Sequence, residues 1–199
     1  MITRDDITGI VLCGGRGTRM GGAEKALQLL HGRPLVAHVL ERLQPQVVAV
    51  VISANREAPA YATYRVAVVQ DLADDQGPLG GLQSALRHVH TPWFFCCPGD
   101  APFLDPQLVE SLARHVDQPD ITIVYPYDGE HHQHLFLLGR TALAASLDLY
   151  LASGQRSVHG FIDTHQALCV PLPGITESFT NINTGIELAA ANQVPASRG

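Results

Sequence analysis

The chain has 199 residues, of which 46% are hydrophobic and 16% are charged, and its formal net charge at pH 7 is −6. The length fits one domain, and the composition is that of a globular protein rather than a disordered one. The acidic balance argues against a broad nucleic-acid-binding face. No apolar run approaches the ~18 to 20 residues of a membrane span, and residues 1–6 carry acids where a signal peptide would be basic. We therefore expect a soluble, cytoplasmic protein.

Strands and helices are predicted to alternate along the chain. Apolar runs rich in β-branched residues predict strands, and apolar residues at helical spacing predict helices. The predicted strands are residues 7–13, 47–52, 66–69, 93–97, 121–125, 134–138 and 167–172. Helices are predicted after Pro34, over residues 79–89, from a cap at Asp105, over residues 141–151, and after a capping box of Thr184 and Glu187.

This alternation predicts a single three-layer α/β domain, with a mostly parallel mixed sheet covered by helices on both faces. Asp128-Gly129 is a turn signal, so the strand over residues 134–138 is expected to return antiparallel to its neighbour. Ligands of such sheets bind beyond the carboxyl ends of the strands. Candidate functional residues are therefore those that follow predicted strands.

A glycine-rich loop follows the first predicted strand. Residues 12–25 read LCGGRGTRMGGAEK, and five glycines between positions 14 and 22 let backbone N–H groups surround an anion. Arg16, Arg19 and Lys25 add positive charge, and Lys25 is the only lysine among 13 basic residues. The loop lacks the third glycine of the dinucleotide fingerprint and the Gly-Lys-Ser/Thr ending of the P-loop. It predicts a different triphosphate-binding loop, with a flexible turn as the alternative.

Acids and amides at other strand ends complete a candidate site. Asp100 follows a buried strand between two prolines, and one carboxylate together with a triphosphate suits Mg²⁺; a turn residue or a helix cap is the alternative. Asp71 ends the third predicted strand, where it could meet a base or ribose or could close an Asx turn. Asn181 and Asn183 alternate in an extended segment, so their amides would point the same way, toward a metal, a substrate or the local backbone.

The glycine-rich loop resembles the L-A-G-G-x-S-x-R-M-G-x-D-K signature of nucleotidyltransferases that build molybdopterin guanine dinucleotide. The chain as a whole resembles a molybdenum cofactor guanylyltransferase. Further matches occur in the expected order at Asn55-Arg56, Asp71, residues 77–81 (GPLGG), residues 98–102 (PGDAP) and residues 181–184 (NINT). The resemblance implies a Rossmann-like fold of the nucleotide-diphospho-sugar transferase type. It also implies one domain over residues 1–199, in which residues 1–105 mainly bind GTP, residues 106–192 mainly bind the acceptor and residues 193–199 form a tail.

The activity implied by the resemblance is Mg²⁺-dependent transfer of GMP from GTP to the terminal phosphate of molybdopterin. Arg19, Lys25 and Asp100 are then the catalytic residues, and Asp100 is the Mg²⁺ ligand. The implied GTP-binding residues are Leu12, Cys13, Gly14, Gly15, Lys25, Ser53, Asp71 and Asp100. The implied acceptor-binding residues are Gly77, Gly81, Asn181 and Asn183. GTP and molybdopterin are the expected partners. Binding to nucleic acid or to a membrane is not expected. Transient contacts with proteins that deliver or receive the cofactor are compatible with this role.

The chain departs from the family pattern at four places. Cys13 replaces the usual alanine, Glu24 replaces an aspartate, and Ser53 stands where relatives often have asparagine. Family members also carry a Q-P-L or H-P-T element that faces the pterin, whereas residues 133–135 read QHL and lack the proline. Because serine reaches less far toward a base than asparagine does, the sequence leaves the base preference open.

Three alternatives follow from these residues. The first is a nucleotidyltransferase of the same fold with another base or acceptor, such as a molybdopterin cytidylyltransferase or a sugar-phosphate enzyme. Cytidylyl loops commonly read L-A-A-G, so Gly14 favours the guanylyl type. The second is an NAD-dependent oxidoreductase, which the missing third glycine disfavours. The third is a non-catalytic nucleotide-binding module, which the presence of Lys25 and Asp100 disfavours.

The remaining metal-ligating residue types do not predict a metal centre. The four cysteines lack paired spacing and are expected to be reduced, mostly buried thiols. The histidines within residues 131–134 are expected to belong to a solvated hairpin turn, because further ligands of zinc type are missing nearby.

Overall fold

The fold is described from a computed structural model, for residues 2–14, 24–56, 58–72, 76–118 and 120–194. These residues form a seven-stranded mixed sheet, a small two-stranded sheet, and helices on both faces of the larger sheet. The strands are β1 (Ile7–Leu12), β2 (Leu29–Leu30), β3 (Arg33–Pro34), β4 (Ala49–Ser53), β5 (Ala67–Val69), β6 (Trp93–Pro98), β7 (Ile123–Tyr127), β8 (Leu137–Arg140) and β9 (Ala167–Pro171). The helices are α1 (Leu35–Leu43), α2 (Ala58–Ala62), α3 (Pro78–Leu86), α4 (Leu108–Ala113), α5 (Ala144–Ala152), α6 (Val158–Asp163) and α7 (Gly185–Gln193).

The large sheet has the strand order β5-β4-β1-β6-β8-β7-β9. β1 lies between β4 and β6 and pairs in parallel with both, which explains why its sequence is almost uniformly apolar. β8 pairs antiparallel with β6 and with β7, and β9 pairs in parallel with β7. The predicted mostly parallel mixed sheet is thus confirmed, including its antiparallel strand. That strand begins at Leu137, three residues later than predicted.

Two apolar layers enclose the large sheet. One layer packs α1, α2 and α4 against one face, and the other packs α3, α5 and α6 against the opposite face. In α1 the apolar side chains recur at helical spacing, so one stripe of the helix is buried. Burying each such side chain contributes roughly 1.5 to 3 kcal/mol before the entropy cost of ordering the chain. The predicted three-layer domain is confirmed.

A third, smaller cluster joins α7 to the hairpin of β2 and β3. Leu30, Leu35 and Ile182 are its buried members, and Leu188 packs against them from α7. The capping box of Thr184 and Glu187 is present at the start of α7, as predicted. This packing returns the end of the chain to the sheet edge where β6 ends, because the Ile182 N–H donates to the Asp100 carbonyl oxygen at 2.9 Å.

Some local predictions differ from the structure. α4 begins at Leu108 rather than directly after Asp105, because the Asp105 Oδ1 atom accepts from the Gln107 N–H at 2.7 Å and closes a turn ahead of the helix. The elements α2, α6, β2 and β3 were not predicted, since each is too short to show a clear apolar period. Among the described residues, no helix combines the length and the hydropathy that crossing a membrane requires.

Candidate functional site

Three strands end side by side at the carboxyl edge of the sheet. Leu12, the last residue of β1, is level with Ser53 in β4 and with Pro98 in β6. The pairing continues past the strands, since the Cys13 N–H donates to the Ser53 carbonyl at 2.8 Å and the Gly99 N–H donates to the Leu12 carbonyl at 2.9 Å. The segments that follow β1, β4 and β6 therefore leave the sheet together, as expected for a ligand-binding edge of this fold.

Polar side chains at the end of β4 and just beyond β4 and β5 form one connected group. The Asp71 carboxylate accepts from the Ser53 hydroxyl on Oδ1 at 3.1 Å and from the Asn55 amide on Oδ2 at 2.9 Å. The Asp71 N–H in turn donates to the Asn55 Oδ1 atom at 2.8 Å. Ser53 and Asp71, both predicted as GTP-binding residues, are thus in direct contact. Asn55 lies in one of the matching motifs but is not among the residues predicted for the site.

The helix α3 packs closely against this group through a glycine. A Cβ atom on Gly81 would lie 2.7 Å from the Ser53 Oγ atom, 3.1 Å from a Leu12 methyl carbon and 3.4 Å from Asp71 Oδ1. Such a distance to Ser53 is shorter than real Cβ atoms allow, so only glycine fits without a shift. Gly77 precedes the helix with a φ of 64°, a left-handed conformation that favours glycine. Acceptor binding by Gly77 and Gly81 stays a prediction, and Gly81 itself lies beside residues predicted for GTP.

A second group of predicted residues converges where β6 ends. The Lys25 Nζ atom donates to Asn183 Oδ1 at 2.8 Å and lies 3.9 Å from Asp100 Oδ2. The exposed fraction is 28% for the Lys25 side chain and 17% for Asp100, so both can still meet a ligand. Glu187 holds this arrangement from α7 by accepting from the Asn183 N–H at 2.6 Å. The structure thus brings together the end of the glycine-rich loop, the segment after β6 and the segment before α7.

The Asp100 carboxyl is partly buried among charged side chains. Burial raises the pKa of the Asp100 carboxyl, the Lys25 ammonium opposes that rise, and the Glu187 carboxylate adds to it. Asn181 offers a second oxygen, since it precedes Ile182, whose N–H donates to the Asp100 carbonyl, and its own Oδ1 atom is buried and makes no hydrogen bond within the described structure. Carboxylate and amide oxygens suit Mg²⁺, which takes few protein ligands when phosphates supply the rest. The described residues contain no cluster of three or more His, Cys, Asp or Glu side chains that could hold a metal ion.

The beginning of the glycine-rich loop is packed rather than reactive. Cys13 is buried, burial raises the pKa of its thiol, and a Cβ atom on Gly99 would lie 2.5 Å from its sulfur. Its thiol therefore stays protonated and fills space. Gly14 is exposed at the start of the loop. Gly15 and Arg19 lie outside the described residues, so their predicted contacts with phosphate stay predictions, as do the GTP contacts of Leu12, Cys13 and Gly14.

A cluster of aromatic and histidine rings lies along β7 and the turn that follows it, next to β9 and α6. Neighbouring rings have centroids 4.9 to 5.9 Å apart, and the members are Tyr125, Tyr127, His132, His134 and His159. The Cys169 sulfur lies 3.3 Å from His132 Nδ1. Burial lowers the pKa of His134, which favours its neutral ring. The predicted turn at Asp128-Gly129 is confirmed, but sequence spacing could not show that His159 of α6 joins these rings.

Comparisons with known proteins identify relatives of this chain. A family model described as MobA-like NTP transferase domain matches residues 9–168. The chain is 41% identical to a molybdenum cofactor guanylyltransferase from Cupriavidus metallidurans, and the alignment covers 94% of this chain and 95% of that protein. It is 37% identical to a molybdenum cofactor guanylyltransferase from Pasteurella multocida, over 90% of this chain and 95% of that protein.

Solved structures show the same fold. The molybdopterin-guanine dinucleotide biosynthesis protein A from Archaeoglobus fulgidus superposes with a TM-score of 0.77 at 26% identity, covering 94% of this chain and 97% of that one. A 4-diphosphocytidyl-2C-methyl-D-erythritol synthase from Anaerococcus prevotii superposes with a TM-score of 0.73 at 12% identity, covering 95% of both chains. The second likeness concerns the fold alone.

Proposed function

The chain belongs to the molybdenum cofactor guanylyltransferases of the MobA-like NTP transferase family, and from that premise we propose that it transfers GMP from GTP to molybdopterin. In this reaction a terminal phosphate oxygen of the acceptor attacks the α-phosphorus of GTP. The bond from the α-phosphorus to the bridging oxygen breaks, and pyrophosphate leaves. The observation that carries the proposal is the contact of Lys25 with Asn183 beside Asp100, at the edge where β1 and β6 end.

The residues of this edge have distinct roles in the proposal. Lys25 places a positive charge where the phosphates of GTP would meet the acceptor phosphate, and Asn183 holds its ammonium in position. Two anionic substrates repel each other, so neutralising and aligning them supplies most of the catalysis. Arg19 adds a second positive charge in this proposal. No residue needs to form a covalent intermediate, which fits the buried, protonated thiol of Cys13.

We further propose that Asp100 holds Mg²⁺ together with the phosphates of GTP. When bound, the ion neutralises developing negative charge on the phosphate oxygens. The raised pKa of Asp100 supports this role, because burial disfavours the charged carboxylate and a nearby cation would stabilise it. Asn181 is the second candidate ligand on account of its unpartnered, buried Oδ1 atom.

The two substrates would occupy different parts of the edge. We place the guanine beside Ser53 and Asp71, where side-chain donors and acceptors are already organised. We place the pterin toward the cluster of aromatic and histidine rings along β7, since planar rings offer stacking partners for a planar heterocycle. A cytoplasmic location is part of the proposal, in keeping with the free thiols of the four cysteines.

Ligand-dependent unfolding tests the preference for guanine, the requirement for Mg²⁺ and the role of Asp100 together. The melting temperature of the wild-type protein is measured with GTP, CTP, UTP, ATP and NAD, each with and without Mg²⁺. A ligand at a hundred times its Kd stabilises the folded state by about 2.7 kcal/mol, which corresponds to roughly 5 to 10 °C for a chain of this size. We expect this shift with GTP and Mg²⁺, and formation of the dinucleotide when molybdopterin is added.

Asp100→Asn should abolish the Mg²⁺-dependent shift and the transfer of GMP. The unliganded variant should melt no lower than wild type, because burial makes the charged form of Asp100 unfavourable in the folded wild-type protein. Asp148→Asn is the matched control, since Asp148 is an exposed aspartate on α5 that hydrogen-bonds Gln83. A full shift with CTP or with NAD alone, or an undiminished GTP response in Asp100→Asn, would contradict the proposal.

A further inference from the structure

We propose that Asn55 is the positioning residue that makes Asp71 selective for guanine. The inference rests on the proposed function, in which Asp71 meets the base of GTP. Asn55 and Asp71 are joined by two hydrogen bonds in opposite senses: the Asn55 amide nitrogen donates to Asp71 Oδ2 at 2.9 Å, and the Asp71 backbone N–H donates to Asn55 Oδ1 at 2.8 Å. One side chain therefore holds both the main chain and the carboxylate of Asp71.

Together with Ser53, this contact fixes the plane of the carboxylate. The Ser53 hydroxyl donates to Oδ1 at 3.1 Å, while Asn55 donates to Oδ2. A donor on each oxygen opposes rotation of the carboxylate about its terminal bond, which is otherwise a soft torsion. An ionised carboxylate has about four acceptor positions, so each oxygen keeps one position for a ligand. The Asp71 carboxylate is thus held as a two-oxygen acceptor before any nucleotide binds.

A carboxylate in a fixed plane distinguishes guanine from the other bases. Guanine carries two neighbouring donors, the N1–H and the exocyclic amino group, which one carboxylate can accept side by side. Adenine and cytosine present an amino donor beside a ring acceptor, and uracil presents a single N–H between two carbonyl groups. A freely rotating carboxylate would still accept one hydrogen bond from many bases. Selectivity therefore depends on the orientation of the carboxylate as well as on its charge.

The position of Asn55 argues for a role in ligand binding rather than in folding. Asn55 is exposed, whereas Ser53 is only 1% exposed and packs against α3. A Cβ atom on Gly14 would lie 3.7 Å from the Asn55 amide nitrogen, so Asn55 lies between the start of the glycine-rich loop and Asp71. The serine at position 53 supplies one hydroxyl donor, and the amide of Asn55 supplies the second donor to the same carboxylate. The base preference that Ser53 alone leaves open is thus explained by the pair.

Binding of GTP and of inosine triphosphate to the full-length protein tests the inference. Inosine lacks the exocyclic amino group and can offer only the N1–H to Asp71. Calorimetry with each nucleotide and Mg²⁺ gives the ratio of the two Kd values for wild type, Asn55→Ala and Asn55→Asp. We expect both substitutions to weaken GTP binding about tenfold and to bring the Kd ratio close to one, because losing the orientation of the carboxylate removes the contact that only guanine makes. In steady state, KM for GTP should rise with kcat changed less than about threefold.

A double-mutant cycle separates action through Asp71 from direct contact with the nucleotide. Asp71→Asn alone should remove the preference for GTP, and adding Asn55→Ala to it should cause no further loss, since the carboxylate to be oriented is gone. Asn192→Ala is the matched control. Asn192 is also exposed and its side chain makes three hydrogen bonds with backbone groups of His31, Leu29 and Leu188, so its loss should leave the Kd ratio unchanged.

The outcomes distinguish this inference from the proposed function. If wild type prefers GTP and Asp71→Asn loses that preference while Asn55→Ala keeps it, the inference is wrong and the guanylyltransferase function stands. Additive losses in the double mutant also overturn the inference, because Asn55 would then act independently of Asp71. If wild type binds CTP or ATP better than GTP, the proposed function itself fails. Equal melting temperatures of the Asn55 variants and wild type support the positioning role, and a fall of more than about 5 °C in both indicates a folding role instead.

Discussion

The contact between α3 and Ser53 makes the substitution Gly81→Ala informative. In a helix, alanine is normally preferred over glycine by about 1 kcal/mol. At Gly81, however, the added methyl group would lie 2.7 Å from the Ser53 Oγ atom and 3.1 Å from a Leu12 methyl carbon, both of which belong to the buried edge of the sheet. Relief requires either a shift of α3 or a rotation of the Ser53 hydroxyl away from Asp71.

At Gly81 the cost of the close contact exceeds the gain in helix propensity. Overpacking of this kind costs about 1 to 3 kcal/mol, and losing the hydrogen bond from Ser53 to the Asp71 carboxylate costs about 1.5 kcal/mol or more. The gain in helix propensity offsets only part of this. We expect Gly81→Ala to reduce the free energy of unfolding by about 2 to 3 kcal/mol and the melting temperature by roughly 5 to 10 °C. GTP affinity should fall as well, because the methyl group would also lie 3.4 Å from Asp71 Oδ1.

Urea unfolding and nucleotide calorimetry measure the two effects separately. Gly185→Ala is the matched control, since Gly185 begins α7 and a Cβ atom there would meet nothing within 4 Å. The control should be as stable as wild type or slightly more stable, with unchanged GTP affinity. If Gly81→Ala is as stable as Gly185→Ala and binds GTP normally, the reasoning from close packing against Ser53 is refuted.

Two further predictions concern the second group of site residues and the turn after β7. Lys25→Arg should lower kcat about a hundredfold, while the melting temperature changes by less than about 2 °C. The larger, planar guanidinium cannot take the place of the compact ammonium that lies 2.8 Å from Asn183 Oδ1. Wild-type turnover in this variant would contradict the role of Lys25. Asp128→Asn should destabilise the protein above pH 5 but progressively less between pH 4 and pH 3. The backbone N–H of His131, with help from Gln133, holds the pKa of Asp128 below the ordinary value of about 3.9, so its contribution is present above that value and is lost as the pH falls through the lowered pKa. Urea unfolding at each pH measures the difference, and a constant difference down to pH 3 would contradict this account.

Much of the fold could be predicted because local patterns agreed with the tertiary structure. The apolar run that forms β1 is buried on both faces, so its composition alone predicted a strand there. The turn at Asp128-Gly129 is stabilised within a few residues, since the Asp128 carboxylate accepts from the backbone N–H groups of Glu130 and His131. The box of Thr184 and Glu187 is equally local. Interactions of this range are properties of the sequence itself.

The arrangement of the site residues depends on long-range contacts, which local sequence patterns do not reveal. Lys25 meets Asn183 across 158 residues, and Asn55 meets Asp71 across 16 residues. The resemblance named most of these residues, but only the fold showed which of them touch, and it added Asn55 to the group around Asp71.

The sequence by itself determined the strand and helix order, the presence of a glycine-rich loop at a strand end, and the kinds of side chain available there. These follow from periodicity and backbone preference, which act over a few residues. The tertiary structure decided which strand ends lie together and how each polar group is oriented, because parallel pairing and helix packing join residues that are far apart in the chain. The partnership of Asn55 with Asp71 is one such result of long-range packing.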